Sequence, residues 1–123
     1  MTSFSDRQWC FLKDVGRLVA FLDEIGWKAT GGDLYRSPEE QARKYEQGLS
    51  KALPSQSKHQ SRMAIDLNFW DEAGVYLPHL ELSKDDLKDK MAIVADYWKE
   101  LNPKNRWGGD WNFFDPFHFE RMF

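Results

Sequence analysis

The sequence predicts an α+β domain in which a small antiparallel sheet packs with about three helices. Three observations point there. Apolar residues recur every three or four positions in 5–25 and again in 84–101. A Ser37-Pro38-Glu39-Glu40 start signal marks a further helix between them. Residues 63–69 alternate apolar and polar side chains, as a half-buried strand does. The chain has 123 residues, which makes one domain, 1–123, with no room for a second of ordinary size.

Ser5 is the expected cap of the first helix, and Trp9, Leu12, Val15, Val19, Leu22 and Ile25 its apolar face. Gly26 ends it. Residues 28–35 carry Gly31 and Gly32 and read as a short irregular strand leading into Arg36. Ser37 caps the second helix, Pro38 takes its first position and Glu40 closes a capping box; the helix runs to about Gln47 and stops at Gly48. Residues 49–62 are polar, contain Pro54, and are expected to form a loop before the strand at 63–69. Residues 71–80, with Gly74 and Pro78, read as a turn or short hairpin. Ser83 caps the third helix, whose buried stripe is Leu87, Met91, Val94, Ala95 and Trp98, and which ends near Pro103. Trp107-Gly108-Gly109-Asp110-Trp111 is a glycine-rich turn. Phe117 and Phe119 then alternate with His118 and Glu120 as in a final strand, with too few residues after them to extend the pattern.

Composition excludes several function classes. The 17 basic and 20 acidic residues give a formal net charge of −3, which argues against a non-specific nucleic-acid binder, since that needs a basic footprint. The single cysteine, Cys10, excludes an intramolecular disulfide and any multi-cysteine metal knot. No apolar run approaches the roughly 18 residues of a membrane span. Asp6, Arg7, Lys13, Asp14, Arg17, Asp23 and Glu24 interrupt the first helix throughout, so it lacks the apolar stretch of a secretory signal. The protein is expected in a cytoplasm unless something else releases it, and as a monomer.

The chemistry-bearing residues concentrate in two places. His59 lies in the polar loop, seven residues before Asp66, and Asp66 interrupts an apolar strand, where a carboxylate is costly unless paired or metal-bound. Asp115 and His118 form an Asp-Pro-Phe-His unit within a stretch dense in Trp, Phe and Gly. Two histidines and one carboxylate make a catalytic zinc set with a fourth position left for water, whose pKa zinc lowers toward about 7. His59, Asp66 and His118 are the candidate ligands. Asp115 is the candidate general base and then acid, chosen over Asp110 for its nearness to His118, although spacing does not separate the two. Arg36 is the candidate for gripping a substrate carboxylate. Glu120 is the candidate for hydrogen-bonding a ligand imidazole from behind. His79, after Pro78 in a turn, receives no role. Taken singly, each residue has an ordinary structural explanation. His59 suits an exposed loop, Asp66 a turn cap or a pair with Arg62, and Asp115-Pro116 a turn; a histidine and an aspartate seven apart are a weak pattern.

The combination is more specific. Residues 57–66, with Ser57, His59, Ala64 and Asp66, resemble the S-x-H-x-x-G-x-A-x-D signature of the D-alanyl-D-alanine carboxypeptidase and dipeptidase superfamily of zinc peptidases, peptidase family M15. Trp107-Gly108-Gly109-Asp110-Trp111, followed by Asp115-Pro116-Phe117-His118-Phe119-Glu120, resembles its other signature, in the form typical of the phage endolysin branch, the L-alanyl-D-glutamate peptidases. The stretch from Tyr35 to Gln41 is similar to the family's arginine and following helix, so the resemblance covers roughly three-quarters of the chain, from about Lys28 onward. It implies a Hedgehog/DD-peptidase-like fold, zinc bound by His59, Asp66 and His118, Asp115 as catalytic base and Arg36 as substrate-binding residue. It also implies peptidoglycan stem peptide as the partner, and the missing export signal fits a lysis enzyme released through a separate membrane pore. One position departs: Arg62 stands where the signature has glycine, adding bulk and charge near the cleft. A D-alanyl-D-alanine dipeptidase or carboxypeptidase is the nearest enzymatic alternative. A non-catalytic wall-fragment binder or phage structural protein is the alternative of another class, and the filled base position Asp115 argues against it.

Overall fold

The computed structural model describes residues 3–32 and 63–122. In chain order they form α1 (Phe4–Glu24), β1 (Lys28–Gly31), β2 (Ala64–Trp70), a 3₁₀ turn (Leu77–His79), α2 (Lys84–Leu101), β3 (Asn105–Trp107), a second 3₁₀ turn (Gly108–Asp110) and β4 (His118–Arg121). The strands make one antiparallel sheet in the order β1-β2-β4-β3. The α+β class expected from the sequence holds, with two α-helices among the described residues. The helix expected at 37–47 lies outside them, as do Arg36, His59 and Arg62.

Side chains alternate across a strand, and here that divides the sheet by chemistry. Ile65, Leu67, Phe69, Trp107 and Phe119 share one face. It packs against Phe11, Val15, Leu18 and Leu22 of α1 and Met91, Val94, Ala95 and Trp98 of α2 to form the core. Aromatic edges knit these layers together: Phe11 meets Trp98 at 5.7 Å, Trp98 meets Phe119 at 6.0 Å and Phe119 meets Phe69 at 5.8 Å, in edge-to-face contacts at 89°, 85° and 66°. Each such side chain contributes about 1.5–3 kcal/mol by burial. The opposite face, by the same alternation, carries Asp66, Asn68, His118, Glu120 and Arg106.

α2 forms as the sequence predicts. Ser83 caps it by accepting from the Asp86 amide, and its buried positions are those of the expected stripe, with Leu87 half-buried. α1 differs in two respects. Its cap is Ser3, not Ser5, because Asp6 stands three residues on from Ser3 and the two close a reciprocal capping box. Its buried stripe is Phe11, Asp14, Val15, Leu18 and Leu22, while Trp9 (58% exposed), Leu12 and Val19 face outward. The stripe is rotated because Asp14, a charged residue, belongs to it. The side chain of Asp14 reaches the Arg121 guanidinium at the end of β4, accepts from the Asn105 amide at 3.3 Å and pairs with Arg17 at 2.6 Å. β3 was not expected, since three residues are too few to show a period. Residues 71–80 turn through a Trp70–Tyr76 bridge into the 3₁₀ turn. Asp71 closes the turn at residues 71–75, before the 3₁₀ turn, by accepting the Ala73 and Val75 amides, both at 2.9 Å.

Candidate active site and metal centre

The β2–β4 register sets Asp66 directly opposite His118. Their 52-residue separation in sequence disappears across the sheet, and Asp66 Oδ1 lies 3.0 Å from His118 Nδ1. Two residues along β4, on the same face, Glu120 Oε1 lies 2.8 Å from Nε2 of the same ring. Asp115 approaches from the loop before β4, its Oδ2 3.9 Å from Nδ1. The imidazole is thus held between acidic groups, with Nδ1 turned to Asp66 and Asp115 and Nε2 to Glu120. The Trp111 ring covers its side, centroids 5.0 Å apart.

The loop that delivers Asp115 depends on its glycines. The Asp115 amide donates to the Gly108 carbonyl at 3.0 Å, and the His118 amide to the Asp115 carbonyl at 3.2 Å. A Cβ at residue 108 would stand 2.2 Å from the Asp115 carbonyl oxygen, and one at residue 109 would meet the Trp107 ring at 2.2 Å. Only glycine allows the backbone to close this far. Trp107, buried in the core, donates its indole N–H to the Pro116 carbonyl at 2.7 Å and ties the loop down.

Burial alone would disfavour a charged imidazole at His118. The hydrogen bonds to Asp66 and Glu120, with the fields of Asp66 and Asp115, outweigh it and push its pKa up to about 9. Burial likewise opposes ionisation of Glu120, but the hydrogen bonds from His118 and Arg106 hold its pKa below the ordinary value. In metal-free protein, His118 is therefore protonated on folding between its unfolded pKa of 6.5 and about 9. That contribution is fully present below pH 6.5 and is lost as pH rises through about 9. The expected outcome is a fall in stability of chelator-treated protein on the order of 3 kcal/mol between pH 6 and 10. Urea unfolding at a series of pH values measures it. A flat profile, or one unchanged by His118→Gln, would contradict the assignment.

Asp66, Asp115, His118 and Glu120 are brought together; the candidates His59 and Arg36 lie outside the described residues. Asp110, the competing candidate for the base, is directed elsewhere: it pairs with Lys99 at 2.9 Å and faces Lys88 at 3.7 Å. His79 lies against the Tyr76 ring at 4.7 Å. Sequence reasoning missed Arg106, whose Nη2 lies 2.6 Å from Glu120 Oε2.

The donor chemistry fits a divalent cation. Asp66, Asp115 and His118 each offer one ligand atom, and these atoms all lie within 4.8 Å of one another. One imidazole nitrogen with carboxylate oxygens suits zinc, and Glu120 behind the ring supplies the partner that metal-bound histidines take.

A family model described as D-alanyl-D-alanine carboxypeptidase matches residues 51–121, the stretch that contains β2, α2, the glycine-rich loop and β4. The chain belongs to this peptidase family. The matched stretch includes Asp66, Asp115 and His118. A search of curated proteins finds no match. Among solved structures, the L-Ala D-Glu endopeptidase ChiX of Serratia marcescens is similar in fold. It superposes with a TM-score of 0.63 at 23% identity, over 89% of this chain and 79% of that one.

Proposed function

We propose that this protein is a zinc peptidase that hydrolyses an amide bond in the stem peptide of bacterial peptidoglycan, namely the bond between L-alanine and D-glutamate. The observation that carries the reading is the convergence of Asp66, Asp115 and His118, from two strands and a glycine-shaped loop, on one half-buried point of a peptidase-family fold. The choice of bond draws on the Trp-Gly-Gly-Asp-Trp motif and on the fold likeness to an L-Ala D-Glu endopeptidase.

The residues divide the work by exposure. Asp66, with 28% of its side chain exposed, and His118, with 8%, sit deeper and would hold zinc together with His59. Asp115 has 41% of its side chain exposed and stands at the mouth of the site. A zinc ion held there would supply Lewis-acid polarisation of the scissile carbonyl. Asp115 takes the proton from the attacking water and delivers it to the leaving amine. Glu120 keeps Nε2 of His118 occupied, which leaves Nδ1 as the ligand nitrogen. Arg36 holds a carboxylate of the substrate in a two-pronged grip.

A second reading, removal of a terminal D-alanine, is favoured by the description of the matching family. Digestion of purified muropeptides, followed by mass spectrometry, separates the two. A stem fragment beginning with D-glutamate supports the proposal. Loss of one D-alanine supports the second reading. No product from zinc-loaded protein overturns both. Metal content measured beside a His118→Ala variant is expected to show one zinc per chain in the parent and none in the variant.

A further inference from the structure

Glu120 has two carboxylate oxygens, and the structure assigns each a different task. Oε1 lies 2.8 Å from His118 Nε2 and Oε2 lies 2.6 Å from Arg106 Nη2. Arg106 and Glu120 face each other across the β3–β4 register, and His118 faces Asp66 across the β2–β4 register. The four side chains therefore form one row over three strands on the polar face of the sheet: Arg106, Glu120, His118, Asp66. Arg106 is itself fixed at the backbone, because its carbonyl accepts the indole N–H of the fully buried Trp98 at 3.0 Å. The guanidinium end is more open, with 44% of the side chain exposed.

We propose that Arg106 is a positioning residue for the metal centre, acting on His118 through Glu120. A carboxylate rotates readily about its last torsion, which is broad. Held at Oε2 by a charge-assisted bond, it presents Oε1 to Nε2 in one orientation. The ring is then fixed, and Nδ1 points at Asp66 and Asp115. Without Arg106, Glu120 keeps only one strong partner and competes for water with its freed oxygen. The imidazole gains rotational freedom, and ligand geometry loosens without any change in the ligands themselves. Arginine suits the place because its planar, delocalised cation sheds water more easily than an ammonium.

The inference rests on the metal-peptidase reading, and its test is chosen to separate the two. Arg106→Gln removes the charge, and Arg106→Lys returns it. Arg106→Met, which keeps an aliphatic stem on the sheet, replaces Arg106→Gln if that variant does not fold by circular dichroism. In metal-free protein at pH 7, the Nε2 proton of His118 is expected as a slowly exchanging downfield proton resonance. It broadens with exchange in Arg106→Gln and returns in Arg106→Lys. Zinc affinity, measured by competition with a chromophoric chelator, is expected to fall by about 10–100-fold in Arg106→Gln, the usual cost of losing a partner behind a ligand. It recovers most of that loss in Arg106→Lys. A protected ring proton and a zinc affinity within about twofold of the parent in Arg106→Gln would overturn the proposal, against that 10–100-fold expectation. If the parent itself binds no zinc, the metal reading falls, and the ring-proton comparison still decides the role of Arg106.

Discussion

Asp115→Asn is expected to lower kcat on muropeptide by about 10²–10⁴-fold, the range that a positioned general base contributes, with zinc content unchanged. Asparagine keeps the size of the side chain but loses its charge and its basicity. The loop keeps its main-chain bonds from Asp115 to Gly108 and from His118 to Asp115 in the variant. Asp115 Oδ2 also stands farther from His118 Nδ1 than Asp66 Oδ1 does, 3.9 against 3.0 Å. The proposed division takes Asp66 as the ligand and Asp115 as the proton carrier. KM is expected to stay near that of the parent, because the lost interaction belongs to the transition state. Two results would contradict this division. Activity within tenfold of the parent would move the base elsewhere, since about 10² is the least a base contributes. Loss of zinc would make Asp115 a ligand.

Much of this site was legible before the structure, and the parts that were not share a cause. Asp66 and His118 stood out because each interrupts a stretch whose pattern demands burial. The register that joins them was not legible, because no local rule links residues 52 positions apart; it follows from β4 pairing with β2. Arg106 was missed for the same reason. Its one signal was local: a cation next to the Trp-Gly-Gly motif, with an acidic residue 14 positions on in an alternating segment. In α1 the failure came from a charge. Trp9, Leu12 and Val19 share helical spacing with Val15 and Leu22, but so do Phe11 and Leu18, and the face that is buried is the one that also carries Asp14. α2 has no such interruption, and its stripe and cap were read directly.

That buried charge carries the largest stability effect expected of one substitution outside the site. Asp14 and Arg121 are 4% and 5% exposed, so water compensates a lost partner poorly. Around them, Asn105 donates to Asp14 and to the Trp98 carbonyl, and accepts from Arg121 Nε at 2.9 Å, so α1, α2, β3 and β4 meet in one polar knot inside the apolar layer. Asp14→Ala leaves the Arg121 guanidinium buried and unneutralised, which costs about 3–5 kcal/mol. A domain of this size has about 5–15 kcal/mol in total. Urea unfolding of the variant is the measurement, and a loss under about 1 kcal/mol would show that the pair is solvated and carries little, as exposed pairs do. The double change Asp14→Leu with Arg121→Met is expected to recover most of the loss, since apolar groups of similar volume replace buried ion pairs at little cost. The effect should also reach the site. Arg121 is three residues from His118 on a four-residue strand, and its amide bonds the Met63 carbonyl just before β2. Loosening this end of β4 frees the register that sets His118 against Asp66, so Asp14→Ala is expected to lose zinc to a chelator faster than the parent, and the double variant at the parent's rate.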